Sequence, residues 1–192
     1  KKILAILLAA VTMFSLLPAA ALAADASAVT VYLTVSTPSG FKTDKSGAAV
    51  VQRAVTLTGK DSHDINDALA ALHTEYCPDG ADGYATSEGG ITRLWGDQNA
   101  YFGYYVNGAM GSGLSDPLSD GAFLDVLIYP KSSELQNYSV FSSRIMTVGA
   151  GDPVNLTLTN VSGYDANWAP VFSPTSDAEV TANGVAAGAT DS

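Results

Sequence analysis

Cysteine is almost missing from this chain, with one residue, Cys77, among 192. A single thiol excludes an intrachain disulfide framework and any zinc site built from several cysteines. Histidine is nearly as scarce, with only His63 and His73, so imidazole-based catalysis has little to draw on. Basic residues are few: nine Lys and Arg stand against nineteen Asp and Glu, for a net charge of −10. That balance argues against nucleic acid as a partner, because phosphate binding needs clustered Lys and Arg, and against docking on an anionic membrane surface. Charged residues make up only 15% of the chain, but hydrophobic residues reach 47%, which is the composition of a folding chain and not of a disordered one. At roughly 150 residues per domain, the length allows one full domain or one and a fraction. Composition therefore favours binding or structure over chemistry.

Lys1 and Lys2 precede an apolar run over residues 3–17, closed by Pro18 and followed by Ala21-Leu22-Ala23. A basic start, an apolar middle and a small-x-small end form the pattern of a secretory signal peptide over residues 1–23, with cleavage expected near Ala23. The run is shorter than the ~20 residues of a membrane-spanning helix. The expected location is secreted or at the cell surface, with no membrane insertion after the leader is removed.

Beyond the leader, Val29, Val31, Leu33 and Val35 alternate with Thr30, Tyr32, Thr34 and Ser36, which predicts a strand with one buried face. Pro38-Ser39-Gly40 predicts a turn, and residues 49–57 predict a second strand returning as a hairpin. Ile65, Ala68, Leu69 and Leu72 recur at helical spacing, so they predict one helix with an apolar stripe laid on the sheet. Asp64 is placed to cap it, with Asp67 three positions on, and Pro78 and Gly80 are placed to stop it. Residues 78–90 read as a Gly- and Asp-rich loop, and residues 91–95 as a short strand. Residues 101–106 form an aromatic strand that turns at Asn107-Gly108, and residues 123–129 form a last strand ended by Pro130. Strand, strand, helix and several further strands predict an α+β layout, with one helix packed on a small mixed sheet.

After Pro130 the texture becomes all-β, with strands expected at residues 140–148 and 154–159 around a turn at Gly149–Pro153. Too few strands are legible to close a sandwich, where about seven are usual. This region reads as a β-domain that is truncated here or completed by partners.

Three ordered segments carry a resemblance: Ile65-Asn66-Asp67-Ala68-Leu69, Tyr104-Tyr105-Val106-Asn107-Gly108, and Leu118-Ser119-Asp120-Gly121-Ala122-Phe123-Leu124. Together, over residues 28–131, they resemble the transcobalamin-like C-terminal domain family of exported bacterial proteins. The resemblance implies a β-grasp-like fold and, by analogy with the animal cobalamin carriers, a face that covers a planar ligand such as cobalamin. Residues 176–191 are similar to the opening half of bacterial Ig-like or carboxypeptidase-regulatory-like β-sandwich repeats, so residues 132–192 are expected to form a partial Ig-like β-domain.

The aromatic cluster Trp95, Tyr101, Phe102, Tyr104 and Tyr105 is either a stacking platform for a flat ligand or sugar ring, or sheet packing. Alternation puts Tyr101 and Tyr105 on one face and Phe102 and Tyr104 on the other. For a ligand, the candidate residues are Trp95, Tyr101, Tyr105, Asn107 and Met110, with the loop over residues 109–116. Asp79, Asp82 and Glu88 do not match an EF-hand loop, because Ala81, Gly83 and Gly90 fall at ligand positions. His63 and His73 fall in no metal-binding pattern, and His73 lies one helical turn before Cys77. Asn137, Asn155 and Asn160 begin glycosylation sequons, which matter only in a eukaryotic secretory host. The expected function is a non-catalytic extracellular binding module for cobalamin or another planar small molecule, with a small-molecule or cell-surface ligand as the expected partner. The alternative is a structural or adhesion module of a bacterial cell-surface protein. No catalytic residue, metal or required cofactor is expected, and the oligomeric state is open.

Overall fold

The computed structural model describes residues 28–131, 138–167, 169–182 and 185–191. The expected leader and the sequon at Asn137 lie outside the described residues. The first region runs β1 (Val29–Thr37), β2 (Gly40–Phe41), β3 (Arg53–Leu57), β4 (His63–Asp64), α1 (Ile65–Tyr76), a 3-10 turn (Gly80–Gly83), β5 (Ala85–Ser87), β6 (Gly90–Arg93), β7 (Ala100–Val106), β8 (Ala109–Met110), β9 (Pro117–Leu118) and β10 (Phe123–Pro130). The second runs β11 (Ser139–Phe141), β12 (Leu158–Tyr164), β13 (Pro170–Pro174), β14 (Glu179–Ala182) and β15 (Val185–Ala189). The described chain is mostly β, with one α-helix.

The principal sheet has six strands in the order β2-β1-β10-β7-β8, with β3 also on β1. Its centre is a parallel pair, β1 with β10, in which Leu33 lies opposite Leu124 and Val35 opposite Val126. β7 runs antiparallel to β10, with Tyr105 opposite Asp125. Because side chains alternate across a strand, each of these strands serves two faces. Val31, Leu33 and Val35 of β1 and Leu124, Val126 and Ile128 of β10 face α1, and its stripe of Ile65, Ala68, Leu69 and Leu72 is wholly buried on them. Asp64 caps the helix as expected, its Oδ1 accepting from Asp67 N–H at 2.9 Å. The C-terminal cap is Cys77, whose N–H donates to the His73 carbonyl.

Several boundaries differ from expectation. The second strand begins only at Arg53, because Gln52 takes φ 47° and bends the chain. The stretch before it is tied by its backbone to the β1 edge through Val35 N–H to Val50 O. Residues 78–90 hold structure that a loop reading missed, namely the 3-10 turn and β5, which pairs with β6. Past Pro130, the strand expected over residues 140–148 is short, running Ser139–Phe141, and the next strand starts at Leu158 instead of residue 154. Val154 and Leu156 alternate correctly but are exposed; alternation alone found no sheet to join. β12 instead takes its register from β11 and β13 on either side.

Candidate functional site

The expected ligand residues do not share one surface. Trp95 is buried on the helix side of the sheet. Tyr105 is buried on the opposite side. Tyr101 keeps 49% of its surface exposed, with its ring tilted against Tyr129 at 5.8 Å. Asn107 forms the β7–β8 turn with φ 51°, and its Oδ1 accepts from Phe123 N–H. Met110 is exposed on the short edge strand β8. The alternation of Tyr101 and Tyr105 against Phe102 and Tyr104 is as read from the sequence, but Tyr105 is covered and Tyr101 on the same face stays half exposed.

What covers the second face is the chain's own C-terminal region. Tyr138, just before β11, stacks on Tyr105 with ring centroids 3.8 Å apart and planes within 10°. Leu127, Tyr129 and Val161 complete this second core, with Val140, Tyr164 and Phe172 packed around it. Asp125, buried on β10, accepts from the Tyr138 hydroxyl and from both terminal nitrogens of Arg144, Nη1 approaching to 2.9 Å. The guanidinium also rests over the Phe123 ring at 5.6 Å. A bidentate pair with a second donor is the geometry that makes a buried ion pair tolerable, because it satisfies the carboxylate on both oxygens. Burial pushes the Tyr138 phenol up, and the Asp125 charge beside it adds to that shift. Arg144 is raised despite its burial by its bond and charge pairing with Asp125. At neutral pH the tyrosine is a neutral donor and the arginine a fixed cation.

Beside the contact lies a cleft of about 720 Å³. The β1–β2 turn supplies Pro38 and Phe41, β11 and the chain leading to β12 supply Phe141 and Leu156, and the floor is Asp125, Tyr138 and Arg144. Phe41, Phe141 and Leu156 are substantially exposed there.

On the other face, His73 lies at the centre of a polar knot that the sequence did not announce. Its Nδ1 bonds the Leu69 carbonyl at 2.6 Å, and its Nε2 accepts from Trp95 N–H at 3.0 Å. These partners assign the proton to Nδ1. The ring stacks on Tyr84 at 5.1 Å and meets Trp95 edge-on at 5.1 Å. Trp95 takes φ 52°, a left-handed conformation unfavourable for a bulky residue. The structure over-determines it: Leu94 and Asp97 exchange backbone bonds around it, and its indole N–H donates to Thr43 O at 3.0 Å. Burial pushes the His73 imidazole below its usual range. The neighbouring Cys77 thiol is buried and pushed up, chiefly by desolvation. Both imidazole nitrogens are spent on backbone partners, so His73 is not free to take a proton from Cys77. A nucleophile needs an available base or a depressed pKa, and this pair has neither. The signal for the knot was the spacing His73-x-x-x-Cys77 together with Leu94-Trp95-Gly96-Asp97, a tight-turn pattern with an unusual residue in it.

Among the described residues, no group of three or more His, Cys, Asp and Glu is arranged to hold a metal. No described helix is long and apolar enough to cross a membrane. Comparison with protein-family models, with curated proteins and with solved structures found no match in any of the three.

Proposed function

We propose that this chain is a non-catalytic extracellular module of structural or adhesive character, in which a β-grasp-like unit over residues 28–131 and the β-region over residues 132–192 are fastened together. The observation that carries this reading is the Tyr105–Tyr138 stack at 3.8 Å. Around Tyr105, the sheet face that a platform for a planar ligand would use is filled by the chain's own ring, with the Asp125–Arg144 pair beside it. A side-by-side parallel pairing of the first and last long strands, with one helix across the sheet, supports the β-grasp reading. The spent His73 and the buried Cys77 support a non-catalytic role. The signal-peptide pattern of residues 1–23 supports export.

The cleft beside the stack favours a second reading, a small-molecule binding module. Its volume of about 720 Å³ falls in the range of drug-sized ligand pockets, which favour junctions between units. A corrinoid, larger than that class, is disfavoured unless the C-terminal region moves away. Titrating the mature chain with cyanocobalamin, followed by heat and by intrinsic fluorescence, separates the readings. The structural reading expects a flat titration. Saturable binding that weakens in Tyr105→Ala would overturn it in favour of a carrier.

A further inference from the structure

His63 is the residue that nothing above accounts for. It lies in β4, directly before the helix cap, and its side chain is 3% exposed. Neither ring nitrogen has a hydrogen-bond partner. A buried imidazole that makes no hydrogen bond is costly, and its polar neighbour is the Asp67 carboxylate. It lines a surface hollow of about 280 Å³, together with Lys60, Asp67, Thr56 and Thr58. One helical turn into α1, Asp67 Oδ2 lies 3.4 Å from His63 Nδ1, too far for a good hydrogen bond. Two ligands on a tetrahedral zinc, at bond lengths of about 2.0–2.1 Å, are held ~3.3–3.4 Å apart. The two side chains are therefore already spaced as a chelating pair.

A cation already stands at this carboxylate. Lys60 Nζ contacts Asp67 Oδ1 at 2.6 Å, and the lysine side chain is 59% exposed. An exposed ammonium on a flexible stem exchanges into water at little cost. Asp64 is committed to the helix cap through Oδ1.

We propose that His63 Nδ1 and Asp67 Oδ2 form a binding site for a first-row divalent transition metal, zinc or copper, that displaces Lys60 and completes its coordination with water. Imidazole plus carboxylate is a donor set that suits these ions over calcium or magnesium. With two protein ligands the site is an exchangeable one and not a structural metal core. Binding at Nδ1 uses the imidazole lone pair, so metal and proton compete for that nitrogen. His73 is no competitor, because both of its nitrogens are occupied.

The test uses tag-free mature protein titrated with zinc chloride in a non-coordinating buffer near neutral pH. Heat and the His63 imidazole NMR signals are read together. One saturable site is expected, with His63 signals shifting and His73 signals still. His63→Gln and Asp67→Asn should each weaken binding at least ~tenfold, since even outer-shell losses cost that much. Lys60→Met should strengthen it several-fold by removing the competing cation. Far-UV circular dichroism of each variant confirms that α1 is intact; if Asp67→Asn unravels it, the Lys60→Met and NMR results decide. The proposal is overturned if zinc gives no saturable heat at millimolar concentration, if the His63 signals do not move, or if Lys60→Met leaves affinity unchanged or weaker.

Discussion

The two parts of the chain are both built mainly of strands but have very different interiors. The first half closes around a core of its own, with Val31, Leu33, Leu69, Leu72, Leu124 and Val126 all fully buried. The second half leaves Ile145, Met146, Val148, Val154, Leu156, Val171 and Val185 substantially exposed. Among its described residues the well-buried apolar ones are Tyr138 and Val161, and they are buried against Tyr105, Leu127 and Tyr129 of the first half. Strand propensity builds sheets in both halves. A core requires a second layer to pack on, and the second half borrows that layer from the back of the first sheet.

The contrast predicts unequal responses to truncation, and the largest effect belongs to the first half. Leu69→Ala should cost about 2–5 kcal/mol, as buried leucines do, and should lower the main unfolding transition seen by calorimetry. Val161→Ala should leave that transition nearly unchanged while loosening the second half, seen as faster amide exchange over β11–β13. Equal loss of the main transition in both variants would break the comparison.

The ion pair that joins the halves comes next. Arg144→Met leaves Asp125 buried without its cation and should cost about 2–3 kcal/mol, less than a wholly enclosed pair because Arg144 is partly exposed. The loss should appear as detachment of the second half, with new exposure of Tyr105 and Tyr138 in near-UV circular dichroism and no change in α1. A variant that behaves as wild type would mean that the stack alone holds the halves together.

Gly83→Ala probes the knot of the first half. A methyl there would approach Cys77 Sγ to 2.5 Å and His73 Cδ2 to 3.3 Å. Overpacking of this kind costs about 1–3 kcal/mol, so a lower melting temperature is expected, read beside Gly113→Ala, where a methyl meets nothing closer than 3.8 Å.

The smallest effect is the pH response of His73. Burial holds its pKa below the ordinary 6.5, so the unfolded chain takes up a proton at a higher pH than the folded one. Stability from this group is complete above about 6.5 and falls as pH drops from there toward the folded value. Its imidazole NMR signals should therefore stay those of the neutral ring well below pH 6.5, and titration at or above that value would sharpen the comparison against the knot.

Local signals with a strong period were legible in the sequence. The stripe of Ile65, Ala68, Leu69 and Leu72 and the cap at Asp64 gave the helix almost to the residue. The alternation of β1, β7 and β10 gave the sheet and its two faces. The candidate site was legible only as chemistry. Tyr101 and Tyr105 read as a platform, but whether a platform is open depends on a contact with Tyr138, 33 positions on from Tyr105 and carried by no period. Trp95 was hidden in the same way. Its left-handed backbone is held by Thr43 and His73, which are remote in sequence. Exposed alternation over Val154 and Leu156 misled because it resembles a strand but lacks a neighbour.

The most direct measurement is the set of nuclear Overhauser contacts between the Tyr105 and Tyr138 rings in the chain from residue 24 onward. Rings 3.8 Å apart should give strong ring-to-ring cross-peaks, and these should persist with cyanocobalamin present. Absent cross-peaks, or cross-peaks that vanish as the corrinoid is added, would contradict a closed sheet face and return that surface to the role of a ligand platform.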